Sequence, residues 1–133
     1  MEMFRAMGIE TSDATDWRAA ALSWFADRVH RPDFGIFVIE VEGAIVAAGL
    51  GQVRDMAPSP TNPSGGDVLI SNICTLPAHR RRGYGSAVFA ATLEWARGTG
   101  VGRVELMATQ PGRRMYEQAG FAETPWPAMR FTL

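Results

Sequence analysis

Apolar positions recur along this chain with two different periods, and the changes of period mark out its elements. From Asp13 to His30, the residues Trp17, Ala21, Trp24, Phe25 and Val29 fall at helical spacing. Thr11, Ser12, Asp13 and Thr15 are available as N-caps, and Arg31-Pro32 closes the segment. Phe34 to Val41 and Ala44 to Arg54 read as strands joined by a tight turn at Glu42-Gly43. A polar loop, Met56 to Gly66, follows; Pro58, Pro60 and Pro63 restrict it, so an ordered loop is expected. Asp67 to Thr75 reads as a third strand, Gly83 to Arg97 as a helix ended by Gly98 and Gly100, and Val101 to Ala108 as a fourth strand. Gly112 to Ala119 predicts a short helix and Ala128 to Leu133 a last strand. The order β-β-β-α-β-α-β behind one long helix predicts an α/β fold of the α+β kind, a mixed sheet with helices on its faces.

Composition narrows the picture. At 133 residues, 47% of them hydrophobic and 20% charged, the chain suits one domain, residues 1–133, with a core of its own. No apolar stretch approaches the ~20 residues of a membrane span, and Met1 to Arg5 carry no apolar signal region. Cys74 is the only cysteine, which excludes an intramolecular disulfide and fits a reducing compartment, so a cytoplasmic protein without a membrane partner is expected. His30 and His79 are too isolated to indicate a metal site. A net charge of −1 argues against a general nucleic-acid binder. The charge is unevenly placed, however: Lys is absent, and Arg80, Arg81 and Arg82 are consecutive.

That cluster sits in Leu76-Pro77-Ala78-His79-Arg80-Arg81-Arg82-Gly83-Tyr84-Gly85-Ser86, which breaks the local rules of a helix start. A helix N-terminus is partially positive and disfavours three Arg, and glycine inside a helix costs ~1 kcal/mol relative to alanine. A bound anion resolves both conflicts. Glycines allow a phosphate to reach bare backbone, first-turn N–H groups point at it, and Arg adds charge-assisted hydrogen bonds. A solvated basic turn is the plain alternative. No Gly-Lys-Ser/Thr ending supports a nucleotide P-loop, and the spacing misses the dinucleotide glycine fingerprint.

Arg80-x-x-Gly83-x-Gly85, placed after a strand and a proline, resembles the acetyl-CoA motif Q/R-x-x-G-x-G/A of the GNAT superfamily of N-acyltransferases. Tyr116-Glu117-Gln118-Ala119-Gly120-Phe121 is similar to that family's Y-x-x-x-G-F element, and the two motifs come in the family's order. The resemblance covers about Phe34 to Leu133. It implies a GNAT-like fold with a central, mostly antiparallel sheet flanked by helices, and acetyl-CoA as acyl donor with no metal. It further implies that Arg80, Arg81, Arg82, Gly83, Tyr84, Gly85 and Ser86 hold the pyrophosphate, largely through backbone N–H groups. Ile73, Cys74 and Thr75 would pair with the pantetheine arm on a splayed strand, where a backbone N–H would polarise the thioester carbonyl. Tyr116 would protonate the departing thiolate, a task suited to a phenol of pKa near ~10. The acceptor is expected to be a primary amine, on a small molecule or a protein, attacking in a ternary complex. A CoA-binding regulatory module without turnover is the rival reading.

Other residues point less far. Cys74 as a nucleophile has no His beside it in sequence, and a lone Cys in a strand is usually a small buried hydrophobe. Trp17 and Trp24 read as core. Glu40, Glu42, Asp67 and Glu105, on or beside strands, are the candidates for the base that deprotonates the amine. Where the family often carries Asn at the end of the fourth strand, this chain has Thr109 followed by Gln110. Met1 to Gly8 is too short for the family's first strand and helix, and Met3 to Met7 reads as the tail of that helix. The first strand is therefore expected to be missing, which would leave Phe34 to Val41 as a bare sheet edge open to homodimer formation.

Overall fold

A computed structural model describes residue 7 and residues 16–133. Among the described residues the elements are α1 (Asp16–Ala26), β1 (Phe34–Val41), β2 (Ala44–Arg54) and β3 (Asp67–Thr75). A 3-10 turn (Pro77–His79), α2 (Tyr84–Gly98), β4 (Val104–Leu106) and α3 (Gln110–Gln118) follow. The strands form one four-stranded sheet in the order β1-β2-β3-β4, antiparallel except for the parallel β3–β4 pair. The expected mixed sheet with helices on its faces is therefore present. The expected loss of the first strand, the helix tail at Met3 to Met7 and the start of the first helix at Asp13 lie outside the described residues, apart from Met7.

Local chemistry explains the turns. Glu42 and Gly43 both have positive φ, 50° and 79°, the backbone of a hairpin turn whose twist matches its strands. The Pro-rich loop is ordered around Asn62, which is buried and donates from Nδ2 to the Gly66 carbonyl at 2.7 Å. Ser59 and Asn62 exchange two backbone hydrogen bonds of 3.0 Å beneath it. At the other end of β1, Arg28 stacks 4.5 Å over the Trp24 ring, which meets Phe34 edge-on at 5.3 Å and ties α1 to the sheet.

The helix α2 lies across β1, β2 and β3. Its approach depends on missing side chains: a Cβ at Gly35 or at Gly51 would stand 2.4 Å from the Trp95 ring. Rings do not yield at that distance in a packed core. Gly51→Ala is therefore expected to destabilise the fold by about 2 kcal/mol through overpacking, read as a lower urea midpoint. An unchanged midpoint would mean that Trp95 does not rest on the strand. The core gathers Val68, Ile70, Phe89, Ala96 and Tyr116, with Val104, Leu106 and Phe121 packed against them. On the opposite face the fully buried Asp67 accepts a bidentate pair from Arg54, 2.7 and 2.6 Å, and Arg54 also reaches Glu105 at 2.8 Å.

Two strand expectations are corrected. The fourth strand is only Val104–Leu106, because Gly100, with φ of 80°, and Gly102 interrupt the chain before it, and Val101 packs as a core residue instead. The segment Ala128 to Leu133 forms no strand; a strand needs a ladder partner, and no described residue pairs with it. The short helix begins earlier than expected, at Gln110, because Pro111 suits the first helical turn.

Candidate active site

The first turn of α2 is built without any of the usual caps. Gly83, its N-cap residue, sits at φ 82° and ψ 2°, and no side chain caps the turn. No acidic residue lies in that first turn. The first bond of the helix runs from the Ala87 N–H to the Gly83 carbonyl. The N–H groups of Tyr84, Gly85 and Ser86 thus point outward with no helical acceptor, the arrangement that binds anions. Just before it, Arg81 takes φ 61°, a backbone state that L-residues seldom occupy away from special sites. Arg81 and Arg82 are exposed. Arg80 has a different place: its Nε donates to the Thr75 carbonyl at 3.2 Å, tying the turn to the end of β3.

The strand that leads here opens on one side. β3 pairs with β4 only at Val68, Leu69 and Ile70. Beyond Ile70 the ladder with β4 has ended, while β3 continues to Thr75. On its other side the β2–β3 register slips, with Ala48 opposite Cys74 and Leu50 opposite Ser71, so that Asn72 and Ile73 together face Gly49. Asn72 stands at the bulge with φ 54°. Such a bulge bends the strand and redirects its backbone groups. The sequence reading passed over Asn72; a single Asn in a β-branched run was its signal, since Asn tolerates the left-handed region.

The expected site residues converge on this opening. A Cβ on Gly85 would lie 3.3 Å from the Thr75 hydroxyl, so the glycine brings the start of α2 against the end of β3. Ser86 Oγ lies 3.5 Å from Met115 Sδ, which brings α3 to the same place. The next residue, Tyr116, is buried, its ring edge-on to Phe89 at 5.0 Å. Burial pushes its phenol pKa up. No hydrogen bond holds its hydroxyl among the described residues. Gly112, a second residue not foreseen, leaves room for the ring: a Cβ there would stand 3.1 Å from Tyr116 Cε2.

Other candidates are placed elsewhere. Burial raises the Cys74 thiol pKa, the opposite of what a nucleophile needs. Thr109 caps α3 with its backbone, accepting from the Arg113 N–H at 3.0 Å. Among the base candidates, Asp67 and Glu105 are engaged by Arg54, while Glu40 and Glu42 are exposed at the β1–β2 hairpin. No group of three or more His, Cys, Asp or Glu among the described residues could hold a metal ion. No described helix is long and apolar enough to cross a membrane.

No curated protein matches the sequence. A GCN5-related N-acetyltransferase from Ralstonia eutropha superimposes with a TM-score of 0.79 at 25% identity, over 97% of this chain and 85% of that one. A predicted acetyltransferase from Clostridium acetobutylicum, solved with acetyl-CoA, gives 0.77 at 23% identity, over 92% of this chain and 79% of that one. Glucosamine-6-phosphate N-acetyltransferase from Arabidopsis thaliana shares the fold, with a TM-score of 0.75 at 20% identity and coverage of 96% and 87%. The profile of the acetyltransferase (GNAT) family matches residues 2–121. With the glycine turn, the opened strand and the tyrosine helix in one place, this chain belongs to the GNAT family of acetyltransferases.

Proposed function

We propose that the protein transfers an acetyl group from acetyl-CoA to a primary amine by direct attack in a ternary complex. The observation that carries this reading is the meeting of three features: the uncapped first turn of α2, the stretch of β3 beyond Ile70 where the β4 ladder has ended, and the buried Tyr116 on α3. The residues fit the donor part by part. The free N–H groups at Tyr84, Gly85 and Ser86, with Gly83 and the exposed Arg81 and Arg82, suit a pyrophosphate. Arg80 fixes that turn to β3. The backbone of Ile73, Cys74 and Thr75, beyond the end of the β4 ladder, suits the amides of a pantetheine arm, which would lie along it as a strand does.

The bound thioester supplies an acyl group already activated for attack. The chain's own residues do the remainder. A backbone N–H at the Asn72 bulge holds the carbonyl oxygen where negative charge develops. Tyr116, whose phenol stays protonated because it is buried, holds the proton that the departing thiolate takes. An ammonium acceptor with a pKa near ~10.4 must first lose a proton. Asp67 does not accept it, being sealed from solvent and bonded to Arg54. The acceptor is of the amine class, as the name of the Arabidopsis thaliana neighbour states for that protein. The lone Cys74 and the absence of a membrane-crossing described helix support a protein working in the cytoplasm.

The test is acetyl-CoA turnover against amino sugars, aminoglycosides, amino acids and peptides with free amino groups, read as thiol release. Release that depends on one amine class is expected. A chain that binds acetyl-CoA yet releases no thiol with any amine would be a binding module and would contradict the transferase reading.

A further inference from the structure

The two faces of the sheet are furnished differently. Gly51 is turned to α2, since a Cβ there would meet the Trp95 ring, and its ladder partner Ile70 belongs to the core under the same helix. Successive strand residues point to opposite faces. Leu50, Gln52, Leu69 and Ser71 therefore lie on the face turned away from α2, and the register agrees, with Leu50 opposite Ser71 and Gln52 opposite Leu69. Phe34, opposite Gln52, is met edge-on by Trp24, so α1 walls this face on one side.

Two polar side chains on that face are left open. Ser71 and Gln52 are half-buried, and among the described residues neither side chain has a hydrogen-bond partner. Polar groups on a packed sheet face are ordinarily paired. The buried side-chain atoms without a partner among the described residues are His79 Nδ1 and Arg103 Nε, so the Ser71 hydroxyl and the Gln52 amide reach solvent. The two are diagonal neighbours across the β2–β3 ladder, about 7 Å apart. Ser71 is also the first residue of β3 beyond the β4 ladder and adjoins Asn72 at the bulge. The carboxylates beside them, Asp67 and Glu105, both accept from Arg54 and are not free to meet a second cation.

We propose that Ser71 and Gln52 hold the acceptor and select a primary amine with a hydroxyl on the adjacent carbon, a 1,2-amino alcohol; this rests on the transferase reading above. With the thioester carbonyl at the Asn72 bulge, Trp95 and the rest of α2 close one face of the sheet to a second substrate. The amine then arrives on the face that carries Ser71. It donates one N–H to Ser71 Oγ, which leaves its lone pair free to turn toward the carbonyl carbon. The neighbouring hydroxyl donates to Gln52 Oε1. A nitrogen and an oxygen on adjacent carbons, each within a hydrogen bond of about 2.9 Å, bridge two side chains at the separation of a diagonal pair. A diamine gains nothing there, because Arg54 already occupies both nearby carboxylates.

Titration of the CoA-saturated chain with 2-aminocyclohexanol, cyclohexylamine and 1,5-diaminopentane, followed by two-dimensional NMR, reads this subsite apart from turnover. The amino alcohol is expected to bind at least about tenfold tighter than either of the others, with its shifts centred on the Ser71 and Gln52 amides. Ser71→Ala and Gln52→Leu should each lose about tenfold toward the amino alcohol, the loss of one hydrogen bond, while Ser71→Thr keeps the hydroxyl and stays within about threefold. All of these variants should bind CoA as the wild type does, which a merely structural role would not allow. Equal binding of the amines, no binding of the amino alcohol, or variants that bind it undiminished would overturn the assignment, even where another amine is acetylated. Selective binding of the amino alcohol without thiol release from acetyl-CoA would uphold the subsite and overturn the transferase reading instead.

Discussion

Gly83→Val is expected to weaken acetyl-CoA binding by at least about 100-fold, roughly 2.7 kcal/mol, with the fold preserved. Gly83 has φ 82°, and a Cβ there would meet nothing within 4 Å. The variant therefore meets no steric obstacle inside the protein; what it meets is a backbone state that costs an L-residue ~1–2 kcal/mol and more when β-branched. The turn relaxes, the N–H groups of Tyr84, Gly85 and Ser86 lose their common direction, and the new methyl groups occupy the approach of the phosphate. Gly100→Val separates strain from site. Gly100 has φ 80° with nothing near its Cβ position, and it follows the far end of α2. The 15-residue helix places it about 22 Å from the turn. It should lose comparable stability by urea denaturation and bind acetyl-CoA within about twofold of wild type, well inside the tenfold that 1.4 kcal/mol represents. Equal binding losses in the two variants would mean that general destabilisation is being measured.

Tyr116→Phe is expected to lower kcat by about 10²-fold, the lower end of general acid catalysis, with KM for acetyl-CoA little changed. The hydroxyl has no partner in the described structure, while the ring packs on Phe89 and Phe121. Phenylalanine keeps that packing, so melting should not move. Tyr116→Ala, by contrast, empties the core and should cost about 3–5 kcal/mol. The pH dependence has a definite sign. Burial raises the phenol pKa, so the proton is held to a higher pH than in a free tyrosine. Activity should rise with pH as the amine deprotonates, and the alkaline loss, as the phenol ionises, should begin only above the ordinary tyrosine value near ~10. The folded state binds this proton more tightly than the unfolded chain. The stability linked to it is complete below the unfolded pKa and falls as pH rises past it toward the raised folded value. If Tyr116→Phe retains wild-type kcat at every pH, the proton reaches the thiolate by another route.

The sequence made the site legible where a residue breaks a local preference, and hid it where the cause was tertiary. Three Arg and two glycines at a helix start are locally unfavourable, and Gly83 does occupy the left-handed state that explains its choice. Glu42-Gly43 likewise announced its hairpin turn. Asn72 was passed over because one polar residue in a strand reads as surface decoration until the register of β2 shows the bulge. Gly112 carried no signal at all; its smallness matters only once α3 curls and Tyr116 comes over it. The last strand failed for a related reason. Met129, Phe131 and Leu133 have the strand pattern, but pattern alone supplies no ladder partner, and none is present among the described residues. Asp67 is a candidate base from its place at the start of a strand, and only the fold shows that Arg54 takes both of its oxygens.

A calorimetric titration of the 133-residue chain with acetyl-CoA tests the central claim most directly. Single-site binding in the micromolar range, about −8 kcal/mol, is the predicted result. A folded chain that takes up no heat from acetyl-CoA would contradict the account, because the uncapped turn of α2 and the open edge of β3 would then serve something other than this donor.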